Sequence, residues 1–206
     1  MPIYPILDSG LLARYGHTVE DALAAAMDGG AEWIQLRHKG AFDREFVRTL
    51  ERCSSIFPSL ILNDRADYAA MFGFGLHLGQ NDLPPVEARK IVGDAAMLGY
   101  STHNEAQLRE AAGMPLDYVA LGPIFATQSK ENPDPVVGVE NLRRLRGLTT
   151  LPLVAIGGIS LESAPQVLAA GANKVALISA IWQSPYTLKA FRDQIETWRK
   201  TLTQHT

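Results

Sequence analysis

Eight short apolar runs recur along the chain, separated by stretches with helical periodicity, and this alternation limits the fold more than any other feature. The runs are "IYPIL" (3–7), "WIQLR" (33–37), "SLILN" (59–63), "GLHLG" (75–79), "AMLGY" (96–100), "YVALG" (118–122), "LPLVAIGG" (151–158) and "KVALIS" (174–179). Most are apolar on successive residues rather than alternate ones. Strands covered on both faces read that way, as in a parallel sheet. Between them, "FDREFVRTLERCSSIF" puts Phe42, Phe46, Leu50, Cys53 and Phe57 on one helical face, and Leu188, Phe191, Ile195, Trp198 and Leu202 repeat the stripe near the end. A helix packed on a sheet needs such a face. Thr18, with Asp21 three residues on, is expected to cap the first helix, and Ser160 the seventh.

Eight strands alternating with about eight helices predict an α/β fold, a single (β/α)8 TIM barrel spanning residues 1–206 as one domain. A doubly wound open sheet usually has fewer strands and a Gly-rich first turn. The first turn here, "DSGLLARYG", has no G-x-G-x-x-G. No linker or low-complexity tract interrupts the alternation, and 206 residues suit one domain. The formal net charge of −3 has both signs spread along the chain. Without a basic tract, duplex nucleic acid is not an expected partner, whereas a small anion needs only a few convergent cations. Cys53 is the one cysteine, which excludes an internal disulfide and suits a packed thiol. No stretch reaches the ~18 apolar residues of a membrane span, so a cytoplasmic protein without membrane partners is expected. The oligomeric state is not legible, and a homo-oligomer is compatible with the composition.

In such a barrel the active site lies at the C-terminal ends of the strands. Strand two ends "QLRHK", where Gln35, Arg37 and Lys39 alternate and so share one side of an extended chain. Strands three and four end "NDR" and "HLGQND". Their Asp64 and Asp82 could each give an oxygen to one hard cation such as Mg²⁺, which commonly takes one or two carboxylates and completes its shell with water and phosphate. Taken singly, each could equally cap the helix that follows it. Strand five ends "YSTHN", presenting Ser101 and His103; the spacing does not decide whether the histidine binds, carries a proton or only turns the chain. Strands seven and eight end "AIGGIS" and "LISAI", the place where barrels often bind phosphate on backbone N–H groups. Two cationic loops, a carboxylate pair and a phosphate cradle suggest two phosphate-bearing groups, one of them a diphosphate activated as a leaving group. No Ser/His/Asp or Cys/His arrangement competes for a nucleophilic role.

The order and spacing of "IQLRHK", "LILNDRADYA", "GLHLGQND", "GYSTHNEAQL", "DYVALGPIFATQSK", "LVAIGGIS" and "VALISAI" resemble the thiamine phosphate synthases, with the related thiazole tautomerases of the TenI type, over nearly the whole chain. The resemblance implies a transferase that joins hydroxymethylpyrimidine diphosphate to a thiazole phosphate, with loss of diphosphate first. It implies Mg²⁺ on Asp64 and Asp82. Arg37, Lys39, Asn63 and Lys130 would hold the diphosphate, and Gln35, His77 and Ser101 would line the pyrimidine pocket. Thr127 and Ser129, with backbone at Gly158, Ile178 and Ser179, would receive the thiazole phosphate. His103 is counted with the substrate-facing residues, and Lys130, Arg37, Lys39 and Ser101 are expected to act on the reacting groups. In the segment 122–138, rich in Pro and polar residues, the first half supplies Thr127, Ser129 and Lys130, and the second half, with Pro133, Pro135 and Gly138, reads as a lid. Departures are small: His38 stands within "QLRHK", Ser129 replaces a Thr, and Ser163 stands where Asn is frequent. A tautomerase is the nearest rival, but it handles no diphosphate and need not keep Asp64, Asp82 and Lys39 together. A non-catalytic ligand-binding barrel would not need a cation set for a leaving group.

Overall fold

The structure, a computed structural model, describes residues 1–127 and 134–203. Eight parallel strands close into a barrel in sequence order. They are β1 (Ile3–Asp8), β2 (Gln35–Arg37), β3 (Ile61–Asn63), β4 (Gly75–Leu78), β5 (Leu98–Thr102), β6 (Tyr118–Leu121), β7 (Leu153–Ile156) and β8 (Lys174–Leu177), and β8 returns to pair with β1. The order α1 (Ser9–Arg14), α2 (Val19–Asp28), α3 (Arg44–Ile56), α4 (Ala66–Phe72), α5 (Pro85–Val92), α6 (Glu105–Ala111), α7 (Val139–Leu145), α8 (Ala164–Ala169) and α9 (Leu188–Thr203) supplies the outer layer. Closure excludes the open doubly wound sheet.

The successive-apolar pattern has two destinations. Alternate strand residues such as Ile3, Leu7, Leu36, Leu62, Leu76 and Val119 face outward and join the helices in one buried layer. Tyr4, Ile6, Ile61, Tyr118, Ala120, Val154 and Ala176 form a second, smaller cluster inside the barrel. The helical stripes behave as expected: Leu50 and Cys53 are buried on α3, and Phe191, Ile195, Trp198 and Leu202 on α9. The N-terminal end of the barrel is closed by Trp33, whose ring meets Tyr4 edge-on at 5.6 Å and carries the Lys174 ammonium 4.7 Å from its centroid. The opposite end is left for the loops.

Several local expectations shift. Phe42 and Phe57 flank α3 rather than belong to it, because Asp43 caps the helix by accepting from the Phe46 N–H at 2.9 Å and Phe57 ends it. Thr18 does cap a helix, accepting from the Asp21 N–H, but that helix is α2. A short α1 precedes it, capped by Asp8 through the Leu11 N–H at 3.0 Å. Ser160 does not cap α8: the cap position is Ser163, with no side-chain cap bond, and Ser160 Oγ instead accepts from the Ser163 N–H at 3.2 Å in the turn before it. Strand β5 runs on to Thr102 because that residue pairs with Leu121, and its hydroxyl donates to the Ala120 carbonyl at 2.8 Å. Among the described residues no helix is long and apolar enough to cross a membrane.

Candidate active site

The C-terminal strand ends surround a cleft of about 590 Å³. The predicted residues Gln35, Arg37, Lys39, Asn63, Asp64, His77, Asp82, Ser101, His103, Thr127, Gly158, Ile178 and Ser179 all line it. Ser129 and Lys130 lie outside the described residues, as does the central part of the segment read as a lid.

One edge carries the charges. Gln35 pairs in register with Ile6 of β1 and points inward, fully buried. Two residues on, Arg37 pairs with Asp8, and its guanidinium donates to the Asp8 carboxylate. Lys39 follows the strand and ion-pairs with Asp64. Asp8 therefore does two jobs, orienting Arg37 and capping α1.

The carboxylates do not cap their helices. The residue before α4 is Arg65 and the residue before α5 is Pro84, and neither helix has a side-chain cap bond. Asp64 sits at φ 67°, in the left-handed region that few non-glycine residues adopt. Its N–H donates to the His77 carbonyl at 2.8 Å. Such strain persists only where surroundings impose it, and it collects at functional sites. Asp82 is fixed differently, accepting from the Gly79 N–H at 2.7 Å. Burial and the neighbouring Asp64 carboxyl push the Asp82 carboxyl above its usual range. Two adjoining carboxylates, one held in a strained backbone and one raised by its neighbour, form an oxygen-donor set suited to a small hard cation. Among the described residues no group of three or more His, Cys, Asp or Glu side chains is arranged to hold a metal, so a cation here would complete its shell with water or substrate oxygen.

The floor is polar and buried. Gln35 Nε2 donates to the Tyr4 hydroxyl at 3.0 Å, and the Tyr4 and Tyr118 hydroxyls are 2.8 Å apart. His77 reaches Tyr118 through Nδ1 and Ser101 through Nε2, both at 2.9 Å. Burial lowers the His77 pKa from 6.5 to about 4, so the imidazole is neutral at pH 7.

The facing edge is built from backbone. Gly157, Gly158, Ile159, Ile178, Ser179 and Ala180 line it, with Thr127 nearby. Gly158 has φ +64°, and a Cβ there would lie 2.4 Å from the Ala126 carbonyl, so the loop after β7 packs against the loop after β6 with no room for a side chain. His103 fastens that second loop: its Nδ1 lies 2.6 Å from the Gly122 carbonyl and its Nε2 3.5 Å from Asp134. It lines the cleft, yet both ring nitrogens already face protein oxygens.

Sequence reasoning missed Asp8, Tyr4, Tyr118, Gln80 and Gln107. Gln80 Nε2 donates to the Ser101 carbonyl at 2.6 Å, and Gln107 Oε1 accepts from the His103 N–H at 2.7 Å. Asp8 was findable, because strand one has a C-terminal end like the others. The tyrosines carried no signal separate from their apolar strands.

The family model for thiamine monophosphate synthase matches residues 3–181. A thiamine-phosphate synthase of Koribacter versatilis is 45% identical over 193 residues, covering 89% of this chain and 90% of that protein. One from Vibrio campbellii is 40% identical over 169 residues, covering 80% and 83%. Among solved structures, the thiamine phosphate pyrophosphorylase of Pyrococcus furiosus superposes with a TM-score of 0.80 at 28% identity, covering 98% of this chain and 96% of that one.

Proposed function

Because the chain belongs to the thiamine monophosphate synthase family, and its activity is that of a thiamine-phosphate synthase and hence a transferase, we propose that its cleft joins hydroxymethylpyrimidine diphosphate to a thiazole phosphate. The observation that carries this reading is the division of the cleft into a charged edge, a buried polar floor and a glycine-rich edge. Each suits one part of the two substrates.

The bond between the exocyclic methylene and the diphosphate oxygen breaks, its electron pair leaving with diphosphate. The lone pair of the thiazole ring nitrogen then forms the new C–N bond at that methylene. No proton has to move, so the Ser101–His77 pair, 2.9 Å apart, is assigned to binding rather than to nucleophilic attack. What the chemistry needs is charge neutralisation and orientation in a sheltered pocket. Arg37, Lys39 and Asn63 hold the diphosphate, with Lys130 assigned the same role on its sequence position. Asp64 and Asp82 would hold Mg²⁺, which when bound would neutralise charge on the departing diphosphate. Gln35, His77 and Ser101 receive the pyrimidine. Thr127 and Ser129, with the backbone at Gly158, Ile178 and Ser179, receive the thiazole phosphate, and His103 anchors the loop beside it. A cytoplasmic setting belongs to the same reading, because charged phosphate esters do not cross a bilayer unaided.

Calorimetry with inorganic diphosphate tests the charged edge. Binding should tighten at least about tenfold on adding Mg²⁺, and Asp82→Asn should abolish that gain while weak metal-free binding remains. Equal affinity in EDTA and in Mg²⁺ would remove the metal from the reading.

A further inference from the structure

Five side chains from five strands form one connected hydrogen-bond chain inside the barrel. It runs from Gln35 to Tyr4, to Tyr118, to His77 and to Ser101, with links of 3.0, 2.8, 2.9 and 2.9 Å. Tyr4 and Tyr118 are 1% and 0% exposed and do not line the cleft. Gln35, His77 and Ser101 do. The tyrosines therefore lie behind the floor, and the groups that meet a ligand are held by them.

Each hydroxyl carries one proton, and a neutral imidazole one N–H. The donor at one link consequently sets the donor at the next, which leaves two self-consistent arrangements. In the first, the Gln35 amide donates to Tyr4, Tyr4 to Tyr118, and Tyr118 to His77 Nδ1. His77 then carries its proton on Nε2 and donates to Ser101, whose own proton is left for the cleft. In the second, every bond reverses and the Gln35 carbonyl turns inward. The structure favours the first, because it is the Gln35 Nε2 amide, and not the carbonyl, that faces the Tyr4 hydroxyl, at 3.0 Å. The His77 ring is buried with each nitrogen 2.9 Å from a hydroxyl, one able to donate and one able to accept, which fits the neutral imidazole that the chain requires.

We propose that Tyr118 and Tyr4 are specificity-determining positioning residues, locking the Gln35 carbonyl as acceptor and the Ser101 hydroxyl as donor toward the cleft. This rests on the pyrimidine reading of the pocket above. An aminopyrimidine shows an N–H donor beside a ring-nitrogen acceptor and meets that pair. Its oxo counterpart shows a carbonyl acceptor beside a ring N–H. Accommodating it requires all four links to reverse together, not one side chain to flip.

The test compares kcat/KM for the 4-amino and 4-oxo pyrimidine diphosphates in the wild type, Tyr118→Phe and Tyr4→Phe. The wild type should prefer the amino substrate by about 10⁴-fold, as sites built around substrate hydrogen bonds do. Tyr118→Phe cuts the chain before His77 and should lower that preference by about 10- to 100-fold. Tyr4→Phe should lower it less, because the Tyr118–His77–Ser101 links remain. A preference unchanged within about twofold in Tyr118→Phe would overturn the proposal. Nitrogen-15 NMR of His77 in the wild-type protein reads the same claim without turnover or any variant. The Nε2–H tautomer is expected, and the Nδ1–H tautomer would refute the chain direction. Wild-type protein that turns over neither pyrimidine would instead sink the substrate reading, leaving the tautomer result to decide the chain.

Discussion

At the scale of single residues, the site is a set of groups kept in forms they would not adopt in water. Asp64 is held at positive φ, Asp82 is crowded by a second carboxyl, and His77 is buried without charge. The last has a measurable consequence for stability. The folded protein holds the His77 pKa near 4 against 6.5 for the free side chain, so the unfolded chain binds the extra proton first as pH falls. Stability from this group is complete above about pH 6.5 and drains away toward pH 4, on the order of 3 kcal/mol in all. Urea unfolding at pH 7 and pH 5 should show about 2 kcal/mol of this loss, and His77→Gln should flatten it. An equally steep decline in that variant would assign the pH dependence to other groups.

At the scale of elements, strand ends set the polar floor, and the loops after β6 and β7, joined by close backbone contact, set the edge opposite the charges. Gly158→Ala puts a Cβ 2.4 Å from the Ala126 carbonyl, at a φ that favours glycine. We expect about 1–3 kcal/mol of destabilisation and a KM for the thiazole phosphate raised about tenfold or more, with the KM for the pyrimidine diphosphate little changed. Steady-state kinetics with each substrate varied in turn would check this, and a matched rise in both KM values would contradict it. The strands were legible because runs such as "KVALIS" and "YVALG" have no polar face to show water. Their ends were less so. Trp33 and Ile34 are as apolar as a strand yet precede β2, whereas Ser101 and Thr102 are polar yet belong to β5 through pairing with Ala120 and Leu121. Register with a neighbouring strand is a non-local fact that a run of residues does not contain. The same reason hid the Asp8–Arg37 pair and the two tyrosines, whose meaning comes from partners on other strands. By contrast, Arg37, Lys39, Asp64 and Asp82 were readable, since the chain order of strand ends already brings them to one mouth.

At the scale of the whole molecule, the barrel separates stability from chemistry. The outer layer between strands and helices and the inner cluster hold the fold, Trp33 and Lys174 close the N-terminal end, and the strand ends and loops at the other end carry charge and polarity. On the proposed reading, that division lets a single frame bring two phosphorylated substrates together and work by orientation and charge neutralisation. In the proposed reaction diphosphate departs from one substrate before the other takes its place. Phosphorus-31 NMR of purified protein with hydroxymethylpyrimidine diphosphate, thiazole phosphate and Mg²⁺ follows both partners at once. We expect thiamine phosphate and diphosphate to rise in equal amounts and to stop rising when EDTA is added. A pyrimidine diphosphate signal that stays constant, in a protein that instead isomerises a thiazole carboxylate phosphate supplied in a parallel sample, would contradict it.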